Sequence, residues 1–131
     1  MTGDRDHPTS EPSEPLAARL AQLLHDEAAR TRARLAALER DRNDIIERSG
    51  DAARDDEHDP EGATIAFERA QVTALIAACH AQLGDIEVAA TRLAEGTHDR
   101  CEVCGRPVGE ARLLARPTAR TCVACAEAAG R

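Results

Sequence analysis

The stretch Gly50–Gly62, GDAARDDEHDPEG, lies between two long segments of helix-forming sequence, and its reading decides the fold. It sets six acids, Asp51, Asp55, Asp56, Glu57, Asp59 and Glu61, against the single base Arg54. Pro60 and Gly62 mark a turn, because proline fixes its own φ and glycine accepts backbone angles that other residues avoid. On one side, Leu16 to Arg48 contains neither proline nor glycine; on the other, Ala63 to Glu95 contains only Gly84. Gly84 is a tolerable interruption, costing about 1 kcal/mol relative to alanine.

Both segments carry the same periodicity. Before the acidic stretch, Leu24, Ala28, Thr31, Leu35, Leu38, Arg42 and Ile45 recur at alternating steps of four and three. After it, Ile65, Arg69, Val72, Ile76, Cys79, Leu83, Ile86, Ala90 and Leu93 do the same. A 3.5-residue period is the mark of a coiled-coil seam. At about 33 residues each, the helices would be roughly 50 Å long. Folding the chain back at Gly50–Gly62 sets Leu35 level with Ile76, Ala28 with Leu83, and Arg42 with Arg69. The two arginines break the seam together. Either Asp41, Asp44 or Glu68 separates them, or both snorkel out to water. Pro15 and Glu14 suit the first turn of the opening helix. Gly50 suits its end and Gly96 the end of the second helix.

The composition agrees with a narrow helical core. The 131 residues include one phenylalanine, Phe67, and neither tryptophan nor tyrosine, so much of the apolar 42% is alanine and leucine. Large aromatics supply much of the buried area of ordinary cores. Cys79, on the seam, reads as a small apolar residue. The net charge is −7 and every basic residue is an arginine. A duplex-DNA binder needs a basic face that neutralises phosphates, so sequence-specific DNA binding is not expected. No run of about 18 apolar residues is present and no membrane span is expected. The opening MTGDRDHPTSEPSEP lacks the apolar core of a secretory signal and reads as a flexible tail. The expected compartment is the cytoplasm, where paired cysteines more often hold metal than form disulfides.

The last third reads CEVCGRPVGEARLLARPTARTCVAC, Cys101 to Cys125. Cys101-x2-Cys104 is followed by 17 residues and then Cys122-x2-Cys125. Two such knuckles turn four thiolates onto one ion, the tetrahedron that Zn²⁺ prefers in structural sites. A pair of disulfides is the competing arrangement, disfavoured by compartment. Four thiolates leave no position for a reactive water, so the expected metal is one structural zinc, worth about 10–16 kcal/mol of apparent free energy in such modules. His98 stands near Cys101 but reads as a surface residue. Arg106, Arg112, Arg116 and Arg120 give the module a locally basic surface. No phosphate-binding glycine loop occurs, no Cys/His or Ser/His pair has an identifiable local motif, and independent catalysis is not expected.

The chain resembles the DksA/TraR family of bacterial RNA polymerase-binding regulators, from about Leu16 to Cys125. The resemblance rests on CEVCG, ARLLARPTA and TCVAC in the finger, on the preceding helical hairpin, and on the tip. There, Asp56-Glu57-His58-Asp59 is similar to the family's DxxD, with Phe67 at the family's distance beyond it. The resemblance implies a hairpin that enters the polymerase secondary channel, with Asp56 and Asp59 near the catalytic Mg²⁺, altering promoter-complex lifetime, often together with ppGpp. No clear match for the family's ppGpp-binding basic residues is present. Glu61 stands where the family motif commonly has alanine, Pro60 stiffens the loop, and only six residues follow Cys125, implying a short or missing C-terminal helix. A Gre-like cleavage factor shares the channel geometry but lacks a four-cysteine finger. The other reading is a coiled-coil and zinc-finger adaptor for some other protein.

The expected organisation is therefore mainly α. Residues 1–15 form a tail, 16–97 an antiparallel hairpin with its acidic tip near 50–62, and 98–131 a four-cysteine module. The expected zinc ligands are Cys101, Cys104, Cys122 and Cys125, and the polymerase-contacting tip is Asp56, Asp59 and Glu61.

Overall fold

The computed structural model describes residues 14–52 and 60–130. Helix α1 spans Glu14–Ala52 and α2 spans Pro60–Glu95; two short helices follow, α3 over Glu110–Ala115 and α4 over Val123–Ala129. Among the described residues the only extended pairing is an isolated antiparallel bridge between Arg100 and Pro107. The fold is the expected one, a helical hairpin followed by a small cysteine-bearing module.

Three boundary details differ from expectation. Gly50 does not end α1, which runs on to Ala52. Pro60 opens α2 instead of sitting in a preceding turn, and Gly62 lies inside its first turn. Proline suits that position because its missing N–H is one of the donors a helix start leaves unused. Gly96 does close α2. Its φ is +76°, its N–H meets the Leu93 carbonyl at 3.2 Å, and the Thr97 N–H reaches the Arg92 carbonyl at 2.9 Å. This is the Schellman arrangement, which requires a residue comfortable at positive φ.

The chain divides into two compact units: Glu27–Asp85, and the described part of Met1–Asp26 together with Ile86–Arg131. In Glu27–Asp85, α1 and α2 run antiparallel, with Gln82 Nε2 donating to Glu27 Oε1 at 2.8 Å and Arg48 pairing with Glu68 at 3.2 Å. Ala28, Thr31 and Ile45 are buried on α1, and Ile76 and Cys79 on α2. All five are seam positions. Thr31 is tolerated there because its hydroxyl donates to the Glu27 carbonyl at 2.8 Å, so no polar group is left unpaired. Leu35, Leu38, Val72 and Leu83 are half-buried. Arg42 is half-buried and Arg69 exposed, while Asp41, Asp44 and Glu68 line a recess beside Ile45 and Val72. The break is therefore open to solvent. Arg48–Glu68 is itself an exposed pair, of a kind worth about 0–1 kcal/mol.

In the other unit the α1 seam continues through Leu20 and Leu24, and that of α2 through Ile86 and Ala89. Ala90 was the expected seam residue, but it is exposed and Ala89 takes its place. A straight α-helix drifts against a strict 3.5 repeat, and a step of three, then four, to Leu93 follows that drift.

By length and composition alone, α2 is apolar enough to cross a membrane, with a mean hydropathy of 1.2 over 18 residues. It contains no continuous run of 18 apolar residues, since Gln71, Thr73, His80, Gln82 and Asp85 interrupt it. Alanines carry much of this hydropathy, and the large apolar residues Ile76 and Ile86 of the same helix are buried within their own units.

A side chain added at Gly84 would meet no atom within 4 Å. Gly84→Ala should therefore raise the stability of the hairpin by about 1 kcal/mol, read as an increase in the urea midpoint or the melting temperature followed by helical circular dichroism.

Candidate metal centre

The first cysteine pair sits on a tight loop closed by backbone bonds. Cys101 N–H donates to the Arg106 carbonyl at 2.8 Å, and Gly105 N–H returns to the Cys101 carbonyl at 2.9 Å. Gly105 has φ +75°, the left-handed geometry that turns the chain after Cys104. The flanking bridge between Arg100 and Pro107 holds the loop at its neck. The second pair is built differently. Cys122 is the residue before α4, with extended backbone (φ −69°, ψ 165°), and Cys125 lies in the first turn. Ala126 N–H donates to the Cys122 carbonyl at 2.9 Å, and Glu102 N–H meets the Arg120 carbonyl at 2.9 Å, joining the two loops.

All four sulfur atoms lie within 4.8 Å of one another, and none forms a disulfide. The Sγ atoms of Cys104 and Cys122 are 3.8 Å apart. Four ligands at the Zn–S distance of about 2.3 Å define a tetrahedron with sulfurs about 3.8 Å apart. The residues thus fit one zinc ion, with Cys101 buried, Cys122 and Cys125 half-buried and Cys104 exposed. His98 is not among these ligand atoms. It is half-buried rather than on the surface, and its Nδ1 is enclosed without a hydrogen-bond partner.

The electrostatics favour thiolate at two of the four positions. The Cys104 backbone N–H, aimed at Cys101, brings its thiol from 9.0 down to about 6 against the opposing pull of burial. Cys122 is lowered as well, chiefly by the backbone N–H of Cys125. Cys125 moves the other way, up to about 12, because its hydrogen bond with the Cys122 sulfur favours its neutral form. A bound dication makes every coordinating thiol a thiolate. With all positions taken by sulfur, the centre has structural chemistry only.

Two arginines hold the cluster in ways their sequence positions did not disclose. Arg112, expected to add to a basic surface, is half-buried and donates Nε to the Thr121 carbonyl at 2.8 Å, fixing the approach to Cys122. Arg92, in the last turn of α2, donates Nη2 to the carbonyls of Thr97 (3.2 Å) and Arg100. An arginine near a helix C-terminus is a general signal for such carbonyl contacts, and it was available in the sequence. Arg106 and Arg116 are exposed, as expected. Beside the ligands, Val103 and Val123 stand 71% and 51% exposed, an apolar surface on both knuckles.

Of the expected tip residues, Asp56 and Asp59 lie outside the described residues. Glu61 is exposed in the first turn of α2, where a negative charge complements the helix dipole.

Residues 95–129 match the family model of the prokaryotic DksA/TraR C4-type zinc finger. The four cysteines are accordingly a structural zinc site of that type. The likeness extends beyond the finger. The chain is similar to the structure of transcription factor DksA2 from Pseudomonas aeruginosa, with TM-score 0.73 and 25% identity over 89% of this chain and 84% of that one. No curated protein matches the chain by sequence. The finger is thus of the DksA/TraR type, and over most of its length the chain resembles a DksA transcription factor.

Cys101→Ser and Cys125→Ser should each abolish stoichiometric zinc binding, measured as released metal per chain. Leu113→Ala, at a side chain only 1% exposed, should destabilise the module by about 2–5 kcal/mol, measured by denaturant titration of the zinc-loaded protein.

Proposed function

We propose that the protein regulates transcription by entering the secondary channel of bacterial RNA polymerase with its hairpin and bringing Asp56, Asp59 and Glu61 close to the active site. There the carboxylates alter the stability of promoter complexes. The likeness to a DksA transcription factor over 89% of the chain is the observation that carries this reading, because it includes both the hairpin and the finger. A narrow pair of helices suits passage through a pore. Carboxylates are hard oxygen donors, suited to the surroundings of a Mg²⁺ ion. Under this reading the protein works on another enzyme's active site and performs no catalysis of its own, and it acts in the cytoplasm with the polymerase.

Glu61 adds a negative charge at a position where the family commonly has alanine, so the response at a given promoter is expected to differ in size or direction from that of typical members. An effect of ppGpp would have to come from residues other than the family's usual basic set.

In vitro transcription with the cognate polymerase at a ribosomal-RNA promoter tests the reading. Wild type should change transcript output, and Asp56→Asn/Asp59→Asn should bind core polymerase with wild-type affinity yet leave output unchanged. Failure of wild type to bind polymerase would sink the channel reading and favour an adaptor acting on a different protein.

A further inference from the structure

The core of the finger is not self-contained. Leu113, Val108 and Cys101 are buried in one cluster with Leu20 of α1, and Leu93 of α2 packs against it. The half-buried ligands Cys122 and Cys125 close on the same cluster. Three of the four metal ligands therefore share an apolar core with the two long helices. A polar link lies beside it. Arg92 Nη2 reaches the carbonyl of Arg100, the residue before the first ligand, while Thr97 N–H reaches back to the Arg92 carbonyl at 2.9 Å.

The parts of the helices involved are short. Residues 16–26 and 86–95 are the terminal segments of α1 and α2, and helix ends open at the low end of a protein's range of local stabilities unless packing holds them. Their most enclosed side chain, Leu20 at 2% exposure, is covered by the finger, while Leu24 and Ile86 are buried outside that cluster. A module the size of residues 98–129 has too little core of its own to fold without metal. Glu27–Asp85 stands in contrast, since its buried set of Ala28, Thr31, Ile45, Ile76 and Cys79 includes no finger residue.

We propose that zinc orders the base of the hairpin together with the finger, so that residues 16–26 and 86–95 fold in a metal-dependent step and residues 27–85 do not. The coupling runs through Leu20 and Leu113, with Arg92 as a positioning residue that ties the end of α2 to the first knuckle. Metal occupancy is thereby transmitted from the four cysteines into both long helices. This inference stands independently of the polymerase reading.

Amide hydrogen exchange on the full chain tests it, comparing zinc-loaded protein with protein stripped by a chelator under reducing conditions. Exchange should accelerate in 98–129 and also in 16–26 and 86–95, while 27–52 and 60–85 keep their protection. Protection retained at 16–26 and 86–95 after zinc loss would confine the effect to the finger and overturn the proposal. Equal loss throughout 27–85 would overturn it too, because the metal would then govern the whole chain. The converse experiment uses Leu20→Ala, a residue that touches no metal. It should speed exchange across 108–114 by about thirtyfold or more, or lower zinc retention against a competing chelator, as expected for truncating a shared core side chain. Unchanged exchange together with unchanged zinc retention would show that helix and finger are uncoupled.

Discussion

The buried cluster that joins Leu20 of α1 to Leu113 of α3, Val108 and Cys101 is the constraint on which this molecule depends. Each partner lacks what the other supplies. The helices are rich in alanine and have a single aromatic residue, exposed at Phe67, so their seam buries little area per turn. The finger has the metal ligands but only a few apolar side chains. Packed together, they bury the most enclosed side chains in the described structure, Leu113 at 1% and Leu20 at 2% exposure. Burial of such a side chain is worth about 1.5–3 kcal/mol, more than the seam's alanines Ala28 and Ala89 can supply at their positions.

The metal centre is built to hold structure and not to activate a substrate. Four sulfurs close the coordination sphere, and a zinc held that way supplies stability to a module instead of activating water. The backbone prepares the site by directing N–H groups at Cys101 and Cys122, the two thiols it holds below their ordinary value. Such donors favour thiolate before any long-range charge is considered. The same economy appears on the hairpin, where Thr31 satisfies its own hydroxyl within α1 and so occupies a seam position without a partner on α2. The transcriptional reading fits this division of labour, with chemistry supplied by a partner and position supplied by helices.

Local rules carry a large part of the structure. The alternating four-and-three spacing from Leu24 to Ile45 and from Ile65 to Leu93 identifies both helices, and most of their buried residues are at the anticipated positions. Gly96 ends α2 because positive φ is a property of the residue itself, and two CxxC pairs are legible because thiolate geometry around one ion limits the spacing. Where local rules competed, the outcome was less legible. Gly50 and Gly62 looked like punctuation, but a helix can absorb a glycine when its neighbours are good helix formers, and both lie within helices. Ala89 replaced Ala90 because one step of the seam is ambiguous between three and four residues.

The sequence by itself determined the helical hairpin and the four zinc ligands, which depend on periodicity and spacing along the chain, and it carried the family resemblance in the motifs CEVCG, ARLLARPTA and TCVAC. Only the tertiary structure decided that Leu16, Leu20 and Leu93 complete the finger's core, that Arg112 braces the second knuckle and Arg92 the first, and that the compact units divide across the long helices at Asp26/Glu27 and Asp85/Ile86. Those facts join residues more than ninety positions apart, such as Leu20 and Leu113. A periodic pattern says which face of a helix is apolar; what covers that face is settled by which other surface the folded chain brings against it.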